Sequence, residues 1–169
     1  MDSTDGWTFE ESVAGDVDRL MKWFPDASSI NLWGGPEFRY PFTRHSFAED
    51  MLWGKIASFS LRGPDSEFAA FGQLYERLGC INLARLVVNP KMRGHGVGKR
   101  LVGQLMQAGR PMFACPTYSL FVYRDNRPAY ECYKSMGFMT TEFPDEEPMA
   151  DVCYYLTRPV VGVERRNAP

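Results

Sequence analysis

Hydrophobic and polar positions along this chain alternate between a helical and an extended period. Val97, Leu101 and Leu105 recur every four residues with Val102 and Met106 beside them, the apolar stripe of an amphipathic helix. That helix is expected to stop at Ala108-Gly109-Arg110-Pro111. A short apolar run, Leu86-Val87-Val88, precedes it and closes at Asn89-Pro90, so strand, turn and helix follow one another between Ala84 and Met106. Val17, Leu20, Met21 and Phe24 repeat the helical spacing behind Ala14-Gly15-Asp16, and Pro25 ends that helix. A further helix is predicted after Thr43, with Phe47, Met51 and Leu52 as its apolar face. Another starts at Asp125-Asn126-Arg127-Pro128, carries Ala129, Tyr133 and Met136 on one face, and is capped by Gly137.

Strands are predicted at Trp7–Val13, Ile56–Leu61, Phe68–Glu76, Cys80–Val88, Tyr118–Tyr123, Phe138–Phe143 and Val152–Leu156. Gly63-Pro64-Asp65-Ser66 and Gly79 are the turns of a meander through the second, third and fourth of these. Between Ser28 and Phe47 aromatics are interspersed with Gly34, Gly35, Pro36 and Pro41, and irregular structure is expected. The pattern predicts an α+β fold: a twisted, mostly antiparallel sheet of six or seven strands with helices on both faces. Residues 1–158 are expected to form a single domain and 159–169 a loose polar tail.

Composition narrows the function. The chain has 169 residues, 44% of them hydrophobic, enough for one sizeable core. A net charge of -2 with no long basic run argues against nucleic acid or an anionic membrane as partner. The acidic start, Met1-Asp2-Ser3-Thr4-Asp5, and the lack of any span-length apolar stretch point to a cytoplasmic protein. Cys80, Cys115, Cys132 and Cys153 are scattered, and His45 and His95 lie far apart. Buried thiols are therefore expected, with no metal site and no disulfide framework.

The chemistry concentrates in Arg93-Gly94-His95-Gly96-Val97-Gly98, a basic, glycine-dense turn at a helix start. Unpaired N–H groups and the positive end of the helix dipole favour an anion there, and residues lacking Cβ let it come close. With Lys99 and Arg100 adding charge, the turn reads as a pyrophosphate cradle. It is not a P-loop, because the first glycine of that motif would fall on Arg93 and its hydroxyl residue on Arg100. Nor is it a dinucleotide fingerprint, because the third glycine would fall on Lys99 or Leu101. What it contains is Arg-x-x-Gly-x-Gly after a strand ending Val88-Asn89-Pro90. This resembles the acetyl-CoA-binding signature of the GNAT superfamily of N-acetyltransferases. Asn126-x-x-Ala129-x-x-x-Tyr133-x-x-x-Gly137-Phe138 is similar to a second family segment, in the family's order with a strand between.

The resemblance implies a GNAT-like fold and transfer of an acetyl group from acetyl-CoA to a primary amine, by direct attack within a ternary complex. The acceptor would be a small amine, an amino acid or a protein amine; the protein would be a monomer or homodimer and need no metal. By the same resemblance the N–H groups of Arg93, Gly94, His95, Gly96 and Val97, with Gly98 and Lys99 close by, hold the pyrophosphate. Leu86, Val87 and Val88 pair with the pantetheine arm, and their amides polarise the thioester oxygen. Asn126 lies near that arm, and Tyr133 protonates the departing thiolate, with Tyr130 one turn earlier as its competitor.

The general base is open. Some members carry a glutamate thirteen residues before the signature arginine, where this chain has Cys80. Glu76 is the nearest carboxylate, and an exposed strand-end glutamate is its other reading. A cysteine carrying the acetyl group lacks any activating neighbour in sequence. Trp33, Phe38, Arg39 and Tyr40 fall where the family builds its acceptor wall, or else anchor an irregular loop. Arg85 either points into the acceptor site or sits on a solvated edge. The alternative to an enzyme is a non-catalytic acyl-CoA-binding sensor or interaction module.

Overall fold

The structure, a computed structural model, describes residues 5–144 and 146–161. Among these described residues, seven strands are hydrogen-bonded in the order β1-β2-β3-β4-β5-β7-β6, and five α-helices accompany them. The chain divides into two compact units, Met1–Tyr75 with Leu83–Leu105, and Glu76–Asn82 with Met106–Pro169. No helix among the described residues is long and apolar enough to cross a membrane.

In the first unit β1 (Thr8–Glu11) pairs antiparallel with β2 (Ala57–Arg62), and β2 with β3 (Phe68–Arg77), whose last two residues pass into the second unit. The helices α1 (Ala14–Met21), α2 (Ala27–Gly34) and α3 (Arg44–Asp50) supply Val17, Leu20, Ile30 and Phe47 to a core shared with Phe24, Phe38, Met51, Phe68, Phe71 and Val87. Burying each such side chain stabilises the unit by roughly 1.5–3 kcal/mol. The strand β4 (Cys80–Val88) leads through a 3-10 turn at Pro90–Met92 into α4 (Val97–Met112). Gly72 on β3 lets α4 come close: a Cβ there would lie 2.6 Å from the Leu105 side chain and 2.9 Å from that of Leu86.

Three expectations are corrected here. The stretch after Ser28 is not wholly irregular, because α2 occupies its start. Asp26 accepts the Ser29 N–H at 2.7 Å while the Ser29 hydroxyl takes the Asp26 carbonyl at 2.9 Å, and Gly35 at φ 96° closes the helix. The cap satisfies donors that the aromatic, glycine-rich sequence conceals. Leu52 lies beyond the end of α3 at φ 55° and is 38% exposed, so it is not on that helix's apolar face. Pro111 lies inside α4, where its ring removes one donor in the last turn, and Phe113 still donates to the Gly109 carbonyl at 3.1 Å.

In the second unit the start of β4 runs parallel to β5 (Thr117–Tyr123), with Ile81 opposite Tyr118 and Asn82 opposite Ser119. The strand β7 (Cys153–Pro159) is antiparallel to β5 and to β6 (Met139–Thr141). The helix α5 (Arg127–Ser135) starts on the Asn126 cap and ends before Gly137 at φ 86°. Phe121, Phe143 and Tyr155 cluster around the strands, and Arg77 lies 4.2 Å over the Phe121 ring while pairing with Glu147 at 2.7 Å. The chain stays engaged past the predicted end of the last strand: Val160 is buried and donates to the Pro116 carbonyl at 2.9 Å. Of the expected tail, residues 162–169 lie outside the described residues.

Candidate functional site

The turn after β4 is built by Asn89. Its backbone N–H donates to the Ala69 carbonyl at 2.8 Å, its side-chain amide to the Phe68 carbonyl at 3.0 Å, and its side-chain oxygen accepts the Lys91 N–H at 3.0 Å. The chain then swings through Gly94 at φ 77° and Gly96 at φ 79°, left-handed conformations that favour glycine. Among the described residues, the N–H groups of Arg93, Gly94, His95 and Gly96 find no acceptor. Those of Val97, Gly98 and Lys99 lie in the first turn of α4, and the first bond into the helix runs from Arg100 to the Gly96 carbonyl at 3.2 Å. The turn therefore presents an unbroken run of free backbone donors at the positive end of a helix.

Charge follows the donors. Arg93 and Lys99 are exposed and have no carboxylate partner among the described residues. Arg100 differs: it pairs with Asp5 at 2.6 Å and lies 4.9 Å over the Trp7 ring. Gly98 has no left-handed φ, and a Cβ there would meet only Val88 at an ordinary 3.7 Å. The protein's own packing leaves room for a side chain at that position. Leu86 packs against Gly72, Val87 enters the core, and Val88 borders Gly98.

Immediately before these three residues, Arg85 takes φ 48° in the middle of β4. The Trp33 indole N–H donates to its carbonyl at 2.8 Å. Its guanidinium donates from Nη1 to Gln73 Oε1 at 2.8 Å and from Nη2 to the Asp50 carbonyl at 3.3 Å, while its buried Nε has no partner. Burial draws this guanidinium below its ordinary pKa, opposed by Tyr75 and Asp50. Gln73 is itself fully buried, and its amide N–H bonds go to the Met51 carbonyl at 2.8 Å and Ser58 Oγ at 2.9 Å, which turns its oxygen to Arg85. Arg85 is therefore not on a solvated edge. Sequence reasoning passed over Gln73, whose one signal was an amide inside the apolar run Phe68 to Leu74.

The aromatic segment is tied into the first unit. Phe38 is 5% exposed and meets Phe47 edge-on at 5.3 Å, and Trp33 stacks on Phe24 at 4.7 Å. Arg39 grips both Asp50 carboxylate oxygens and reaches Glu49 at 2.8 Å. The Tyr40 hydroxyl donates to the Pro25 carbonyl at 2.9 Å. These contacts anchor the four residues within the first unit.

In the second unit Tyr133 stands half-buried on α5, edge-on to Phe138 at 6.4 Å. Its hydroxyl makes no hydrogen bond among the described residues, and burial holds its pKa well above the ordinary phenol range. The Tyr130 hydroxyl is instead engaged with Thr140 Oγ1 at 3.0 Å. Asn126 caps α5, its side-chain oxygen accepting the Ala129 N–H at 3.4 Å. Glu76 is exposed near the end of β3, and burial together with its charge raises the Cys115 thiol. Cys80, Cys115 and Cys153 are buried as expected, but Cys132 is only half-buried. His95 is exposed, its ring nitrogen 2.8 Å from the Arg93 carbonyl. The described residues include no group of three or more His, Cys, Asp or Glu able to hold a metal ion.

Comparison with known proteins bears on the fold and the family. The fold is similar to spermidine N-acetyltransferase from Vibrio cholerae, solved with CoA and spermine: TM-score 0.71 at 13% identity, covering 91% of this chain and 95% of that one. It is similar also to the ribosomal-protein-S18-alanine N-acetyltransferase of Escherichia coli, with TM-score 0.66 at 18% identity over 96% of this chain and 99% of that one. The sequence profile of the Acetyltransferase (GNAT) family matches residues 20–138. That match spans well over half of the 169 residues, and the chain belongs to the GNAT acetyltransferase family.

Proposed function

We propose that this protein binds acetyl-CoA at the turn after β4 and transfers the acetyl group to the unprotonated nitrogen of a primary amine. The observation that carries the reading is the run of backbone N–H groups from Arg93 to Lys99 that are free among the described residues, with the cations Arg93 and Lys99 beside it, neither of which has a carboxylate partner among those residues. A pyrophosphate offers oxygens for such donors, and its charge suits the helix terminus. Leu86, Val87 and Val88 hold the pantetheine arm along the edge of β4, and their amides stabilise negative charge on the thioester oxygen as the nitrogen attacks, a contribution of roughly 3–4 kcal/mol per donor in comparable sites. Asn126 acts through its cap, by fixing the start of α5.

Tyr133 is assigned the general acid that gives its proton to the leaving thiolate, on its place in the family motif and on its protonated hydroxyl, which makes no hydrogen bond among the described residues. Glu76, exposed and so in proton exchange with water, is offered as the base for the acceptor ammonium. Trp33, Phe38, Arg39 and Tyr40 serve the acceptor side by holding its walls in place. Spermidine and an alanine of ribosomal protein S18 are the acceptors named for the two similar enzymes, and an amine is the chemistry they share.

A thiol-release assay with acetyl-CoA against amines, polyamines, amino acids and peptides tests the proposal. Strong acceleration by one acceptor class is expected. Tight acetyl-CoA binding with no acceleration by any amine would instead make the protein an acyl-CoA sensor.

A further inference from the structure

Resting on the acetyltransferase reading above, we propose that Arg85 selects acceptors carrying a carboxylate near the reacting amine, so that the substrate class is amino acids or similar zwitterions and not polyamines. The pyrophosphate turn follows Val88, and the pantetheine arm runs back along Val88, Val87 and Leu86. Its acyl end therefore arrives at the residue before Leu86, which is Arg85. There the backbone leaves the ordinary extended conformation, at φ 48°, and the Trp33 indole holds the carbonyl so displaced. A non-glycine residue kept in this region mid-strand is the kind of outlier that marks a binding site.

The side chain is equally constrained. The Gln73 amide has both its donors engaged elsewhere, so only its oxygen faces Arg85. Asp50 offers Arg85 a backbone carbonyl, while its carboxylate is turned to Arg39, which takes both oxygens. Among the described residues Arg85 has no carboxylate within ion-pair distance. Of the five N–H bonds of a guanidinium, two are used and Nε is buried unpartnered. A half-buried guanidinium held by two neutral oxygens lacks the anion such groups normally have. A carboxylate on the acceptor supplies it, binding the remaining N–H bonds of the two terminal nitrogens. A polycation would instead bring like charge toward a guanidinium whose nearby carboxylate, Asp50, is already bound by Arg39.

The test compares acceptors that differ only in the carboxylate, lysine against cadaverine and ornithine against putrescine, in the thiol-release assay, with acetyl-CoA binding followed by calorimetry. The carboxylate-bearing member of each pair is expected to have kcat/KM at least about 30-fold higher, carried mainly by KM. Arg85→Gln should bring the pair within about threefold, and Arg85→Lys should recover part of the preference. Equal or better use of the diamines by the native protein, or a preference that survives in Arg85→Gln, overturns the inference. The wild-type pairs decide it even if the variants fail to fold. Acetyl-CoA binding with any amine turned over keeps the acetyltransferase reading standing in either case, whereas no turnover of any amine ends both.

Discussion

A phenol in apolar surroundings keeps its proton, and that is what an acid for a leaving thiolate needs. Burial raises the pKa of Tyr133 above the ordinary phenol range, so its protonated form persists well beyond neutrality. Tyr133→Phe is expected to lower kcat by about 10²–10⁴-fold while the acetyl-CoA dissociation constant changes less than twofold. In the native enzyme kcat should show no loss of this acid below about pH 10; single-turnover rates across pH 6–10 check both points, and an unchanged kcat in the variant removes Tyr133 from the chemistry. The glycines of the turn separate in the same way. Gly96 needs its left-handed φ, so a side chain there strains the backbone, whereas Gly98 has an ordinary conformation and a Cβ there would make only an ordinary contact with Val88 at 3.7 Å. Gly98→Val is therefore expected to keep the native circular dichroism and melting behaviour while abolishing measurable acetyl-CoA binding by calorimetry. Tight binding by this folded variant would contradict the cradle.

At the scale of elements, α1 and β2 are joined by a charge placed in the core. Asp16 is fully buried, accepts the Val13 N–H at 3.1 Å and the Ser60 hydroxyl at 2.8 Å, and takes both oxygens to Arg62 at 2.9 and 3.0 Å. Removing it strips the half-buried Arg62 of its buried partner and leaves it only Glu10, and leaves the buried Ser60 hydroxyl only Ser12. Asp16→Ala is expected to destabilise by about 3–5 kcal/mol, read as a shift in the urea midpoint. Much of this level was legible. The repeat of Val97, Leu101 and Leu105 marked α4, Asn126 and Gly137 bounded α5, and Gly79 marked the hairpin into β4, because each signal acts within a few residues. The start of α2 was missed because its cap uses a serine at the position where glutamate or glutamine makes the pattern visible. Leu52 was placed on the wrong element for a related reason: the end of α3 depends on one residue turning left-handed.

For the molecule as a whole, stability should depend on acid through the surface carboxylates. The Arg39 hydrogen bond lowers the Asp50 pKa, Arg39 and then His45 lower that of Glu49, and the Ser29 N–H lowers that of Asp26. A carboxylate whose folded pKa is depressed contributes stability that is fully present above its unfolded pKa, about 3.9 for Asp and 4.3 for Glu. That contribution disappears as pH falls through the lower, folded value. Urea denaturation is thus expected to show falling stability below about pH 4.5, with Asp50→Asn losing less than the native protein between pH 5 and pH 2.5. Equal losses would mean that the Arg39–Asp50 pair contributes nothing.

The sequence by itself determined most of the order of strands and helices, the glycine-rich turn at the start of α4, and with them the family, because periodicity, caps and left-handed glycines are decided by neighbours along the chain. Only the tertiary structure decided what becomes of side chains whose partners are remote: Phe38 in the core with Trp33 packed against it, Arg39 on Asp50, Asp16 beneath Arg62, and Arg85 on Gln73. The physical reason is desolvation. Whether a charge or an aromatic ring is buried, paired or left seeking a partner depends on atoms that folding brings from dozens of residues away.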